Sequence, residues 1–184
     1  MEKSSVFDLI ERMSALIRSE ERRRCTELGL QPVHLQVMDY LSRCNRYSDT
    51  PAALANYLGM TRGTVSQTIL LLEKKGYLKK TADENDKRMV HLSLLAEGNT
   101  LMNKASPAEL YSQASAIFNE NINQENVFIN ALNALQKANK SQSFGLCKTC
   151  KYFTETSVGF VCDLTKEQLS QGDSEKICQE HSLN

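Results

Sequence analysis

The stretch TPAALANYLGMTRGTVSQTILLLEKKG, residues 50–76, leaves a folding chain few options. Thr50 is suited to cap a helix whose first position is Pro51, where a missing N–H costs nothing. Leu54 and Leu58 form the inward row of that helix, Gly59 permits a tight turn, and Thr61 caps a second helix. In the second helix Val65, Ile69 and Leu72 share one face, and Gly76 is a natural left-handed terminator. Two helices joined by about three residues make a helix-turn-helix. With about 3.6 residues per turn, the face opposite the apolar row holds Gly63, Gln67, Leu70 and Lys74, flanked by Arg62, Thr64 and Ser66. That face is short, polar and amide-bearing.

Beyond Gly76 the pattern turns extended, over Tyr77 to Thr81 and Met89 to Leu94, with Val90, Leu92 and Leu94 alternating against Met89, His91 and Ser93. The polar link ADENDKR makes the pair a wing with a charged tip. Upstream, Val6, Ile10, Met13 and Ile17 fall at helical spacing in a helix from Ser5 to about Leu28, and Phe7, Leu9 and Leu16 widen its apolar stripe. Gly29 stops it, Pro32 opens a helix to Cys44 carrying Val33, Val37 and Leu41, and a polar loop, Asn45 to Asp49, follows. Downstream, a helical region runs from about Ala96 to Asn119 with a break at Pro107. A further helix, Asn123 to Lys140, carries Val127, Leu132 and Leu135, and a linker, SQSFG, separates it from the rest. The expected fold is mainly α with a two-stranded β wing: a winged helix-turn-helix at about 31–98 inside a dimerising unit at 1–140, and a small Cys-rich module at 141–184.

Charge divides the chain the same way. The 22 basic and 22 acidic residues cancel overall, yet residues 51–104 carry a net +3 and residues 141–184 a net −2. No apolar run approaches the roughly 20 residues that span a bilayer, and the opening MEKSSVFDLIERM is interrupted by acids, so a cytoplasmic protein is expected with no membrane partner. In that compartment a disulfide framework is not expected. Four of the 6 cysteines nevertheless crowd the last 38 residues, as C-x2-C-x11-C-x15-C-x2-H through Cys147, Cys150, Cys162, Cys178 and His181. Thiolates two residues apart chelate one ion around a tight turn, and a second pair from a distant loop completes a tetrahedron. Zinc is the expected metal, with Cys147, Cys150 and Cys162 fixed and the last position open between Cys178 and His181. An iron–sulfur cluster or a thiol switch is the alternative. Cys25 and Cys44 read as ordinary helix residues.

On these residues the chain resembles the MarR (multiple antibiotic resistance regulator) family of bacterial transcription regulators. The resemblance is carried by LANYLGMTRGTVSQTILLLEKKGYLKK and by DENDKRMVHLSLLAEG, with Asp86, Arg88 and Gly98 where the family expects them. With the flanking helices it extends over about the first 140 residues. One departure is Leu95, where the family usually has a threonine, which predicts an altered helix cap. The resemblance implies double-stranded DNA as partner and a homodimer interlocked by the first helix and the helices after the wing. Its two recognition helices would read a roughly palindromic site. It also implies a wing arginine, Arg88, entering the minor groove with Asp86 orienting it, and a small, often aromatic effector between the dimer helices and the reading head. Tyr40, Tyr47, Tyr57 and His34 are candidates to line such a cleft, although an aromatic at helical spacing is more often core.

The chemistry of the residues agrees. Glutamine and arginine make paired hydrogen bonds to purine edges in the major groove, and hydroxyls bond phosphates or bases. Gln67 is the first candidate for base reading. Thr61, Arg62, Thr64 and Ser66, near the helix start, suit phosphates and groove edges; Gly63 lets the backbone come close. Lys74 and Lys87 add phosphate attraction. His34, His91 and His181 lie in different segments, and no nucleophile–base–oxyanion set or Gly-rich phosphate loop is present, so no enzyme is expected. The rival readings are a protein-binding adaptor built on a winged scaffold, and a metal or redox sensor using the tail.

Overall fold

The computed structural model describes residues 6–84, 86–117, 122–139, 144–157 and 159–182. It opens with α1 (Val6–Glu27), α2 (Pro32–Arg43), α3 (Pro51–Leu58) and α4 (Arg62–Lys74), continues through the hairpin β1 (Leu78–Ala82) and β2 (Val90–Leu94), and returns to helix in α5 (Ala96–Ala105), α6 (Ala108–Ile117) and α7 (Ile122–Ala138). The tail holds β3 (Gly145–Leu146), a single 3-10 turn at Cys147–Thr149, β4 (Phe153–Thr156), β5 (Gly159–Cys162), β6 (Glu167–Leu169), α8 (Gln171–Ser174) and β7 (Ile177–Cys178). Mainly helical with one wing, this is the fold class the sequence predicts. The linker residues 140–143 and the junction 118–121 lie outside the described residues.

Local chemistry sets the punctuation. The Thr50 hydroxyl accepts the Ala53 N–H at 3.2 Å, Pro51 follows at the first helical position, and Gly59 closes α3 at φ 64°. Gly29 and Gly76, at φ 64° and 73°, end the neighbouring helices in the left-handed region that glycine enters without strain. Pro107 separates α5 from α6, as expected of a residue without an N–H. Leu95 caps α5 without a side-chain hydrogen bond, which is the altered cap that its identity predicts.

The core sits inside the helix-turn-helix. Val37, Met38 and Tyr40 of α2, Leu54 of α3, and Val65, Ile69 and Leu72 of α4 are buried, roofed by Leu78 and Leu92 of the wing and by Ala105 of α5. The hairpin pairs Leu78 with Leu94 through Ala82 with Val90. Gly98 lets α5 start hard against the end of α4: a Cβ there would stand 2.0 Å from the Tyr77 carbonyl oxygen, which already accepts the Leu95 N–H at 2.9 Å. Ile177, from the far end of the chain, belongs to this same core, and Phe144 packs on it. By contrast α1 buries only Cys25 among its residues.

Candidate nucleic-acid interface and cysteine module

α4 is built as a two-faced helix. The Thr61 hydroxyl accepts the Thr64 N–H at 3.2 Å and sets its start. Val65, Thr68, Ile69 and Leu72 are buried, while Thr61, Arg62, Gly63, Thr64, Ser66, Gln67, Leu70 and Lys74 are exposed. The outward row is the one its period predicts, with Leu70 as a 61% exposed apolar member. Thr61 and Thr64 share a hydroxyl contact of 2.9 Å, so Thr61 serves first as a cap. Glu73 pairs with Lys80 at 2.7 Å and ties the end of α4 to the wing.

At the wing tip Arg88 extends with its side chain 92% exposed. Its Nε lies 3.0 Å from Asp86 Oδ1 and its Nη2 3.2 Å from Oδ2, a two-point grip that fixes the guanidinium plane. The hydrogen bond from Arg88 holds the Asp86 carboxyl below the usual range. Asp86 is held in turn, its N–H donating to Asp83 Oδ1 at 2.7 Å. Lys87 is exposed beside them.

Beneath the tip lies a cluster that sequence reasoning missed. His91 presents Nδ1 to Asp49 Oδ1 at 2.5 Å and Nε2 to Asp83 Oδ2 at 3.1 Å. With both nitrogens donating to carboxylates, the ring is favoured as imidazolium. The Asp49 hydrogen bond, opposed by partial burial and reinforced by Asp83, raises the His91 pKa above its ordinary 6.5. Burial pushes Asp49 itself up, against the pull of His91. Asp49 also accepts the Leu92 N–H on its backbone oxygen at 2.8 Å, so one residue of the α2–α3 loop grips the wing twice. Nothing in the sequence links positions 49 and 91; only the pleat of β2 against that loop does.

Of the aromatic candidates for an effector cleft, Tyr40 and Tyr57 are packed on each other with ring centres 4.6 Å apart, and Phe144 closes on Tyr57 at 5.1 Å. The Tyr40 hydroxyl donates to the Ser48 carbonyl at 2.7 Å. His34 is buried, and its Nδ1 accepts the Gln31 N–H at 3.2 Å at the start of α2. Tyr47 reaches the other way and donates to Glu167 of the tail. A cleft of about 980 Å³ opens between wing and tail, with Arg46, Thr50, Arg88, His91, Glu167 and Gln179 among its walls.

In the tail, β3 pairs with β7 so that Gly145 faces Cys178, the 3-10 turn joins Cys147 to Cys150, and β4 pairs with β5 so that Phe153 faces Cys162. Burial first, then the neighbouring thiols of Cys178, Cys162 and Cys150, push Cys147 up to about 12. The Cys150 sulfur accepts the Ser182 N–H at 3.4 Å. Asn45 Nδ2 is buried and lacks a nitrogen or oxygen acceptor, and the Asn45 side chain bears on the Cys178 sulfur. Burial pushes the Cys178 thiol up, against the hydrogen bond from Asn45. Nε2 of His181 faces the Thr149 hydroxyl at 2.9 Å, and its ring covers Gly145. Among the described residues no group of three or more His, Cys, Asp or Glu side chains is arranged to hold a metal ion as it stands.

Comparison with known proteins places this geometry. Residues 28–89 match the model of the MarR family, which gives the resemblance read from the sequence a defined span over the helix-turn-helix, β1 and the wing tip, ending before β2. Solved structures with the same fold include apo MarR from E. coli, at 16% identity and TM-score 0.53 over 73% of this chain and 98% of that one. The S. aureus MepR–DNA complex matches at 17% identity and TM-score 0.55, covering 73% and 99%. CouR from Rhodococcus jostii RHA1 bound to p-coumaroyl-CoA matches at 17% and 0.56, covering 73% and 92%. At these identities the likeness is one of fold. No curated protein sequence matches. Among the described residues no helix is long and apolar enough to cross a membrane.

Proposed function

We propose that this chain, whose winged segment matches the MarR family, is a DNA-binding transcription regulator that works as a homodimer. One observation carries the reading: the exposed row of α4 around Gln67 stands beside a wing whose Arg88 is extended and oriented by Asp86. Gln67 would read a base edge in the major groove, and Arg62, Thr64, Ser66 and Lys74 would meet phosphates and groove edges, with Thr61 ordering the helix start. Arg88 would enter the narrow groove and Lys87 would bond the flanking phosphates. The likeness to a MepR structure bound to DNA supports the assignment at the level of fold.

Dimerisation is supported by apolar surface that is exposed among the described residues. Phe7, Leu9, Met13 and Leu16 of α1 and Val127, Leu132 and Leu135 of α7 are exposed. A run of this size on a helix face marks a protein contact, and a second copy is the partner that also adds a second reading head, raising DNA affinity through avidity.

For the tail we propose zinc, held by Cys147, Cys150, Cys162 and Cys178. The spacing of the four thiols, and the β3–β7 pairing that seats Cys178 opposite Gly145 beside the Cys147–Cys150 turn, support this donor set. Cys178 is taken as the fourth donor because the β3–β7 pairing seats it opposite Gly145, two residues from Cys147. Zinc there would supply a fixed, redox-inert staple for a module too small to hold itself by apolar burial. An iron–sulfur cluster is the lesser alternative.

The regulator reading is tested by fluorescence anisotropy with a labelled mixed-sequence duplex at rising salt. Salt-sensitive binding that weakens in Arg88→Ala supports it; absence of duplex affinity at low salt supports a protein-binding adaptor instead.

A further inference from the structure

The tail does not sit apart from the reading head. Ile177 is 8% exposed within the core of the head, and its carbonyl accepts the Asn45 N–H at 2.9 Å. Its neighbour across Cys178, Gln179, donates from its backbone to Ser48 Oγ at 2.8 Å and from its side chain to the Tyr47 carbonyl at 2.9 Å. Arg46 and Tyr47 close the same seam on Glu167. Every one of these contacts falls on the loop between α2 and α3, and the last residue of that loop, Asp49, is the one that grips the wing through Leu92 and His91.

The contacts therefore run without a break from Gln179 to the wing tip. Gln179 holds Ser48; Asp49, bonded to it in sequence, holds His91; His91 holds Asp83; Asp83 takes the Asp86 N–H; and Asp86 grips Arg88. A chain of short polar contacts between packed elements transmits a displacement when one link has two arrangements, held and released. Cys178 lies between the two tail residues that do the holding.

We propose that the cysteine module is an intramolecular brace: residues 177–179 clamp the α2–α3 loop and, through Asp49, fix the wing and the bearing of Arg88, so that release of the tail loosens the wing. The inference rests on the reading of α4 and the wing as the DNA-contacting surface. Whatever disturbs Cys178, such as alkylation of the thiol, moves Ile177 and Gln179 and opens the seam.

The test is hydrogen–deuterium exchange on the full chain, wild type against Gln179→Ala and Ser48→Ala, followed at the Leu92 amide and over residues 44–49, with duplex anisotropy run in parallel. Gln179→Ala removes the side-chain bond to Tyr47 and Ser48→Ala removes the acceptor of the Gln179 N–H; together they are expected to speed exchange at Leu92 about tenfold and to weaken duplex binding severalfold. Gln179→Ala leaves the buried Ile177 in place, so the fold is retained. Exchange that rises only within residues 144–182, with Leu92 at the wild-type rate, overturns the brace. Faster wing exchange with unchanged affinity, in a protein whose wild type binds duplex, overturns its link to DNA reading. If the wild type binds no duplex, the regulator reading fails on its own, and the exchange comparison still decides whether the tail holds the wing.

Discussion

Asp49 Oδ1 stands 2.5 Å from Nδ1 of His91, and the second nitrogen of that ring faces Asp83 at 3.1 Å. A loop that precedes the first helix of the reading head is thus locked to the inner strand of its wing by a charge-assisted pair, 42 residues apart in sequence. The raised pKa of His91 makes this lock pH-dependent.

The sign follows from linkage. A histidine whose folded pKa exceeds its unfolded value adds stability that is complete below the unfolded pKa and is lost as pH rises through the folded one. Stability measured by urea unfolding should therefore decline from the ordinary 6.5 upward, and His91→Gln should flatten that slope. A wild type whose midpoint is constant across this window would mean that His91 titrates normally.

Gln67→Ala should cost about 1–3 kcal/mol at a cognate site and little on mixed sequence, whereas Arg88→Ala should also lower the salt slope by about one. Asp86→Asn, which leaves Arg88 without its anionic grip, should weaken binding by less than Arg88→Ala. Equal losses for Gln67→Ala on cognate and random duplex would remove it from base reading.

Gly98→Ala should destabilise the head by about 3 kcal/mol, because the new methyl meets backbone oxygen 2.0 Å away and a backbone carbonyl that is already hydrogen-bonded cannot yield. Denaturant midpoints of this variant beside Gly63→Ala make the comparison, since Gly63 has space for a Cβ, with its nearest neighbour at 3.9 Å.

Elemental analysis of the purified chain should find about one zinc per chain. Cys147→Ser and Cys178→Ser should lose it, and His181→Ala should keep it while loosening the packing on Gly145. Prolonged chelation should raise protease sensitivity across the tail. A metal-free protein whose tail is equally resistant would dismiss the zinc staple.

Replacement of Leu9 and Leu16 by glutamate should shift the protein to monomer in sedimentation and lower duplex affinity, since each places a charge on the exposed apolar stripe of α1. Unchanged sedimentation would return that stripe to the surface of a monomer.

The helix-turn-helix was legible because its signals are local. Thr50, Pro51, Gly59, Thr61 and Gly76 act on backbone within a turn of themselves, and Val65, Ile69 and Leu72 announce the buried face of α4 by spacing alone, so the same spacing turns Gln67 outward. The cysteine spacing announced a module in the same way. Where that module rests was not legible: Ile177 reads as one more apolar residue in a polar tail, and Gln179 as a solvated amide, yet both are joints.

The sequence by itself determined the helices, their caps, the wing and the face that α4 turns to solvent, since each depends on residues within a few positions of one another. Only the tertiary structure decided that Asp49 meets His91 and that residues 177–179 close on the α2–α3 loop. Contacts between segments so far apart leave no periodic trace; they exist because burial of Ile177 and the pairing of exposed backbone groups are satisfied together in one packing of the chain.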